Sequence, residues 1–384
     1  MAARQARLQA KTTGEINTVP AEFLQKTFFR PICSEDEIER IFAVSNGADY
    51  LLKLRAETIV DHMRLFRVYR NKALARPSDW SLEQSFDESH FLSYLKHIPD
   101  GPRAKCSSVV FGNMFSNDPN GVVFASQHGP IVTISESLQF FLKFAHLALL
   151  SFRSEVPMYV RMNGLRIAVR VMLKTEALDF YMDPRGIVPS DVGEAIHEPI
   201  PLQMEFIAGH EFAHHVLDHL SPAAVCDRPI FHAISARDDD YKALPVFTKS
   251  QQQELDADTR AILLVENDRK HRIELFDAAL LWFACLDIYE AVADALYPSS
   301  PWLLPTHPSA RQRFDHLLTT IPTPARYDHS RWTELLETVD KWKAALLEDV
   351  SVNIKTYEMY GSVYLDKPDS EWRGPQLIDR KDYY

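Results

Sequence analysis

The stretch PLQMEFIAGHEFAHHVLDHL, residues 201–220, constrains this chain more than any other. It is apolar almost all round, Pro201 suits a first helical turn and Ser221-Pro222 suits a stop, so it predicts a helix buried on every side. Within it, GHEFAHHVLDHL carries four histidines and two acids in twelve residues. Either these side chains converge on a ligand, or they are core histidines satisfied by hydrogen bonds.

His210, Glu211 and His214 form H-E-x-x-H. Residues four apart share a helix face, so both imidazoles can reach one ion, while Glu211, about 100° round from His210, can touch a water on that ion. His215 and His219 are also four apart, but they point roughly 100° away and have no acid in the place of Glu211. Packing or hydrogen bonding is expected of them, with a second ion or a substrate contact as the alternative. A hydrolytic zinc needs a third protein ligand and one open position. Forty residues past His214 comes ELDAD, in which Glu254 and Asp258 share a helix face. Glu254 can therefore bind the ion while Asp258, one turn later, accepts a hydrogen bond from a ligand imidazole, and Asp256 faces elsewhere. An exposed acidic helix start, favoured by the dipole, is the alternative for this segment.

Composition limits what such a centre can serve. A net charge of -11 and a pI near 5.8 argue against a nucleic-acid partner, and the basic-aromatic run HMRLFRVYRNKALAR, residues 62–76, predicts a helix with a solvated basic face. Cys33, Cys106, Cys226 and Cys285 form no C-x-x-C pair, which points away from a disulfide framework and towards a reducing, cytoplasmic location. The start is basic without an apolar h-region, and the longest apolar runs are interrupted by Lys143 and His146 or by Asp287, Glu290 and Asp294, so no membrane span is expected.

The pattern along the chain predicts an α+β fold, mostly helical, with a small mixed sheet. Ser34 and Glu37 form a capping box, and helical periodicity dominates the first hundred residues. NDPNGVVFASQHGPIVTISESL reads as a hairpin or two edge strands, SLQFFLKFAHLALLSF as a helix, and MYVRMNGLRIAVRVMLK, with Asn163-Gly164 at its centre, as a second hairpin. QQQELDADTRAILLVEND, RIELFDAALLWFACLDIYEAVADALY and RWTELLETVDKWKAALLEDV should be helices. The expected division is a helical region over 1–104, a catalytic core over 105–320 with an inserted hairpin at about 155–200, and a C-terminal helix and tail over 321–384.

HEFAH followed by ELDAD resembles the zinc-peptidase clan called gluzincins, in which the second motif supplies a Glu ligand. Thr306, His307, Pro308 and Ser309, with Arg313 six residues after His307 and then Phe314, resemble the T-H-P-x-x-x-x-R-[IV] motif of the HtpX and CAAX-prenyl-protease family. NGVVFA, which contains Asn120, Val122 and Phe124, and IVTI at 131–134 are similar to that family's N-A-F-A edge strand and its partner strand. These matches keep the family's order. The resemblance implies a zincin-like core binding one zinc per chain through His210, His214 and Glu254, with Asp258 behind the ligands. It also implies His307 and Arg313 at the polarised substrate carbonyl, and an edge strand at Asn120, Val122 and Phe124 holding a protein or peptide substrate by main-chain hydrogen bonds. Membrane spans or export signals are common in the family and are not expected here, so a soluble relative is implied. Lit-type phage-exclusion peptidases and ImmA-type regulators that cleave a repressor are also similar in H-E-x-x-H plus E-x-x-A-D, and lack as close a match to the T-H-P motif.

The expected activity is that of a zinc-dependent endopeptidase. Zinc lowers the pKa of a bound water towards about 7, and Glu211 is the expected general base, later protonating the leaving amine. The alternatives are a regulatory or phage-defence peptidase with one dedicated protein substrate, and a catalytically silent zinc-binding protein.

Overall fold

The computed structural model describes residues 26–115, 121–220, 225–231, 242–247, 249–298 and 308–376, with only the backbone of 225–231 and 242–247. Asn120 and His307 lie outside the described residues. Among the described residues the first long helices are α1 (Glu35–Phe42), α2 (Gly47–Asp61), α3 (Met63–Ala75), α4 (Ser89–His97) and α5 (Asp100–Cys106). The capping box read at Ser34 and Glu37 is present and starts α1. Strands β1 (Val110–Met114), β2 (Gly121–Ser126) and β3 (Gly129–Ser135) follow, then helices α6 (Leu138–Leu149), α7 (Met158–Met172), α8 (Ser190–His197) and α9 (Ile200–Val216). After strands β4 (Val225–Phe231) and β5 (Lys242–Phe247) come α10 (Gln251–Leu263), α11 (Arg269–Leu296), α12 (Ala310–Thr320) and α13 (Ser330–Glu358). Among the described residues no helix is long and apolar enough to cross a membrane. The fold is α+β and mostly helical, as the sequence pattern predicts.

Helix α9 is the axis of the core. Every residue from 203 to 214 is buried, and α4, α5, α6, α8, α10, α11 and the sheet enclose it. Burying Phe206, Ile207 and Phe212 on it contributes about 1.5–3 kcal/mol each. Close approach is possible because Gly209 has no side chain. A Cβ there would lie 2.3 Å from Cε2 of Tyr94, whose buried ring stacks on Phe212 and whose hydroxyl donates to the Ala261 carbonyl at 3.0 Å. Gly209→Ala should therefore destabilise the protein by about 1–3 kcal/mol, despite the better helix propensity of alanine. A urea midpoint equal to that of the wild type would show that the ring yields freely.

The five strands run in the order β1-β3-β2-β5-β4, with β1 parallel to β3 and the other pairs antiparallel. Side chains alternate between two cores, as a pleated strand requires. Val123, Val132 and Ile134 join the main core around α9, while Val122, Phe124 and Ile131 pack with Leu51 and Leu54 of α2. The β2-β3 hairpin confirms one expectation and corrects another. Strand β2 is not an edge strand, because β5 lies on its far side, although the ladder between them is the single pair Phe124 and Val246.

The second expected hairpin is wrong. MYVRMNGLRIAVRVM forms the helix α7. Its buried positions Val160, Gly164, Ile167, Ala168, Val171 and Met172 recur at helical spacing. Gly164 is a packing residue rather than a turn: a Cβ there would sit 3.2 Å from both Leu147 Cδ2 and the Phe144 carbonyl of α6. Asn163 caps no turn either, and its amide donates to the Leu365 carbonyl at 3.0 Å.

That contact is one of many closing the C-terminal segment onto the core. The fully buried Arg185 donates to Glu176 at 2.7 Å, to Asp183 at 2.7 Å and to Asp179 at 2.8 Å. Arg170 binds the other oxygen of Glu176 at 2.8 Å and extends to the main-chain carbonyls of Met359 and Gly361, each at 3.1 Å. The amide of Val363 in turn donates to Glu176 at 3.2 Å. Buried charge is tolerated here because nearly every donor has a fixed acceptor.

Candidate metal centre

The face of α9 that carries His210 and His214 meets the first turn of α10. A capping box between Ser250 and Gln253 starts that helix, so Glu254 falls in its first turn and points at α9. The two Nε2 atoms lie 3.1 Å apart. Glu254 Oε2 is 3.4 Å from Nε2 of His210, and its Oε1 is 3.5 Å from Nε2 of His214. Donors around a tetrahedral zinc at ~2.0–2.1 Å are separated by ~3.3–3.4 Å, close to the spacing of the two nitrogens and of each nitrogen from its nearer Glu254 oxygen. All three residues are buried.

Behind His210 stands a second layer of partners. Asp258, one turn after Glu254, places Oδ1 at 2.8 Å from Nδ1 of His210. With Nδ1 holding its proton towards the carboxylate, the Nε2 lone pair is left for an ion. Arg313 of α12 grips the same carboxylate through Nε at 2.7 Å and Nη2 at 2.6 Å. Its guanidinium is buried over the Phe283 ring and lies 3.4 Å from Nδ1 of His210, the side of the imidazole away from the ligand nitrogen. Asp256 is exposed and bonded to Gln252, and so takes no part.

Electrostatics follow from this layering. Burial opposes the His210 imidazolium, but the Asp258 carboxylate, with Glu254 beside it, outweighs burial and lifts the pKa to about 9. Asp258 is likewise opposed by burial, yet Arg313 and His210 hold it below the usual carboxylate value. His214 is driven well below its ordinary value by burial and then by Lys249 and His210, so it is a neutral ligand in waiting. In the metal-free protein His210 must lose a proton before it can bind an ion. Zinc binding at pH 7.5 should thus release about one proton per ion, measured by calorimetric titration in buffers of different ionisation enthalpy. The sign for stability is opposite. With a folded pKa raised from about 6.5 to about 9, His210 stabilises the metal-free fold fully below pH 6.5, and that contribution is lost as pH rises through 9. Zinc affinity should rise over the same interval. Buffer-independent heats would exclude the protonated His210.

Glu211 sits beside the ligands, with Oε1 at 3.9 Å from Nε2 of His210. Its Oε2 accepts from Nζ of Lys249 at 2.9 Å, in a pair that is almost wholly enclosed. Strand β2 passes directly over this carboxylate: a Cβ on Gly121 would lie 2.6 Å from Cγ of Glu211. Lys249 escaped the sequence reading, since a single lysine before a capping box carries no pattern. His215 and His219 take hydrogen-bonding positions, His215 against the Lys105 carbonyl at 3.1 Å and His219 against Nδ1 of His214 at 3.0 Å. His219 lies beyond the end of α9, so the two do not share a helix face. The side chains of Val122 and Phe124 are buried on the opposite face of the sheet, away from the site, while Val123 points into the core around α9.

No family model, no curated protein and no solved structure matches this chain. The class is therefore defined by its own geometry: an α+β protein whose buried central helix and a crossing helix present two imidazoles and a carboxylate to one point, with a second carboxylate alongside.

Proposed function

We propose that this protein is a zinc-dependent endopeptidase of the gluzincin type, related to the HtpX and CAAX-prenyl-protease family and acting on a protein or peptide substrate. The observation that carries this is the convergence of His210, His214 and Glu254, whose two Nε2 atoms lie 3.1 Å apart and 3.4 and 3.5 Å from the two carboxylate oxygens, with Glu211 beside them. Zinc held there supplies Lewis acidity towards a carbonyl and acidifies a water. Glu211 accepts that proton at Oε1 and returns it to the leaving amine, while Lys249 fixes Oε2 and keeps the carboxylate turned to the ligands. Arg313 grips both oxygens of Asp258 and lies 3.8 Å from Glu254 Oε2, and so positions His210 and Glu254. Strand β2 passes over Glu211 at Gly121, which brings main chain close to the base. Three buried cysteines with free thiols support a cytoplasmic setting.

The Lys249 contact also favours a second reading, a zinc-binding protein without turnover or a peptidase reserved for one dedicated substrate, because it engages one oxygen of the base. One experiment separates these. The purified protein should contain one equivalent of zinc at the HExxH centre and cleave an unfolded protein substrate, with cleavage abolished by a chelator and restored by zinc. Stoichiometric zinc without cleavage of any unfolded chain would favour the second reading, and absence of zinc binding would remove both.

A further inference from the structure

We propose a second site for a zinc-like divalent cation, formed by His97, Glu205 and His271 at the other end of the buried run of α9. These residues come from three helices, His97 closing α4, Glu205 five residues before His210 on α9, and His271 in the first turn of α11. One donor atom from each lies within 4.8 Å of the others.

The cluster brings one carboxylate against two imidazoles. Glu205 is buried, and its Oε2 is satisfied by the Ser93 hydroxyl at 2.7 Å. Its Oε1 faces two imidazole nitrogens, Nε2 of His271 at 2.6 Å and Nδ1 of His97 at 3.5 Å. The two rings lie face to face with centroids 3.8 Å apart. One carboxylate balances one imidazolium, and two stacked imidazolium rings at that spacing repel each other. A divalent cation would join both nitrogens to the carboxylate, with the stacked rings turning towards each other and His97 giving up the Ser93 carbonyl. Two imidazoles among three donors suit zinc, cobalt(II) or nickel(II), and disfavour calcium and magnesium, which take oxygen.

Access is open. His97 lines a cleft of about 390 Å³ together with Asp100, Asn267 and Asp268, so the site is reached from its His97 side. Filling the site opens the Glu205 to His271 contact from 2.6 Å towards the ~3.3 Å that separates zinc donors, and frees His97 from the Ser93 carbonyl it meets at 2.9 Å. The bound ion would tie α4 and α11 to the helix that carries the first centre.

Equilibrium dialysis against excess zinc, with metal and protein counted, tests this independently of the peptidase reading. The wild type should bind two ions, His97→Gln/His271→Gln one, and His210→Gln/His214→Gln one. The ion left in the His210→Gln/His214→Gln protein should be exchangeable for cobalt(II), giving visible d–d bands that disappear when His97→Gln and His271→Gln are added. Zinc retained at the first centre in His97→Gln/His271→Gln reports that this variant is folded. The proposal is overturned if that variant binds as many ions as the wild type, or if the cobalt bands survive the added substitutions. A count unchanged in His210→Gln/His214→Gln, but lowered in His97→Gln/His271→Gln, would instead reject the first centre and keep the second.

Discussion

Glu211→Gln should retain zinc and lose peptide hydrolysis, with kcat/KM falling by about 10²- to 10⁴-fold, the range supplied by a positioned general base. The substitution is nearly isosteric, and the amide oxygen can still accept from Lys249, which now sits 2.9 Å from Oε2. Packing under Gly121 is preserved for the same reason. What disappears is an oxygen able to take a proton. Metal content by atomic absorption and turnover on the same preparation decide the matter. Wild-type turnover would end the role of Glu211 as base, and loss of zinc would make it a ligand instead.

The three acids of ELDAD should separate cleanly. Glu254→Ala should lose most of the zinc, because it removes one corner of the ligand triangle. Asp258→Ala should weaken zinc binding roughly 10- to 100-fold by freeing the His210 ring. It should also destabilise the fold by about 3–5 kcal/mol, since the buried Arg313 loses both of its hydrogen bonds to that carboxylate. Asp258→Asn restores part of the geometry and should recover part of both. Asp256→Ala should change neither zinc affinity nor stability, as its side chain is exposed. Zinc affinity by competition with a chromophoric chelator, and unfolding by urea, measure the two effects separately. A greater zinc loss from Asp256→Ala than from Glu254→Ala would reverse the assignment of faces on α10.

The convergence of His210, His214, Glu254 and Asp258 was legible because one helical period governs both motifs and each lies inside a single helix. Where a side chain's meaning depends on a distant element, the sequence was silent or misleading. Arg313 follows its motif at the expected spacing, but the crossing of α12 over α10 turns it to Asp258 instead of the open side of the centre. Asn163-Gly164 carries the strongest local hairpin signal, yet the face of α6 that needs a glycine opposite Leu147 overrides it. Val122 and Phe124 alternate as an edge strand would, and nothing local reveals that β5 returns from far along the chain to flank them. The pairs Lys249 with Glu211 and Glu205 with His97 and His271 join residues 38 to 108 positions apart and leave no period to detect.

The clamp of Arg170, Glu176 and Arg185 on the C-terminal segment has a consequence for how the protein is made. Chains are synthesised from the N-terminus at roughly 5–20 residues per second, so Arg170 precedes Gly361 by on the order of ten seconds. During that interval its guanidinium lacks the carbonyls of Met359 and Gly361, and Glu176 lacks the amide of Val363. Burying such charges early would leave them uncompensated, which water prevents by keeping α7 and the loop after it solvated. The nascent protein therefore carries His210, His214 and Glu254 before residues 359–363 arrive to complete that side of the core.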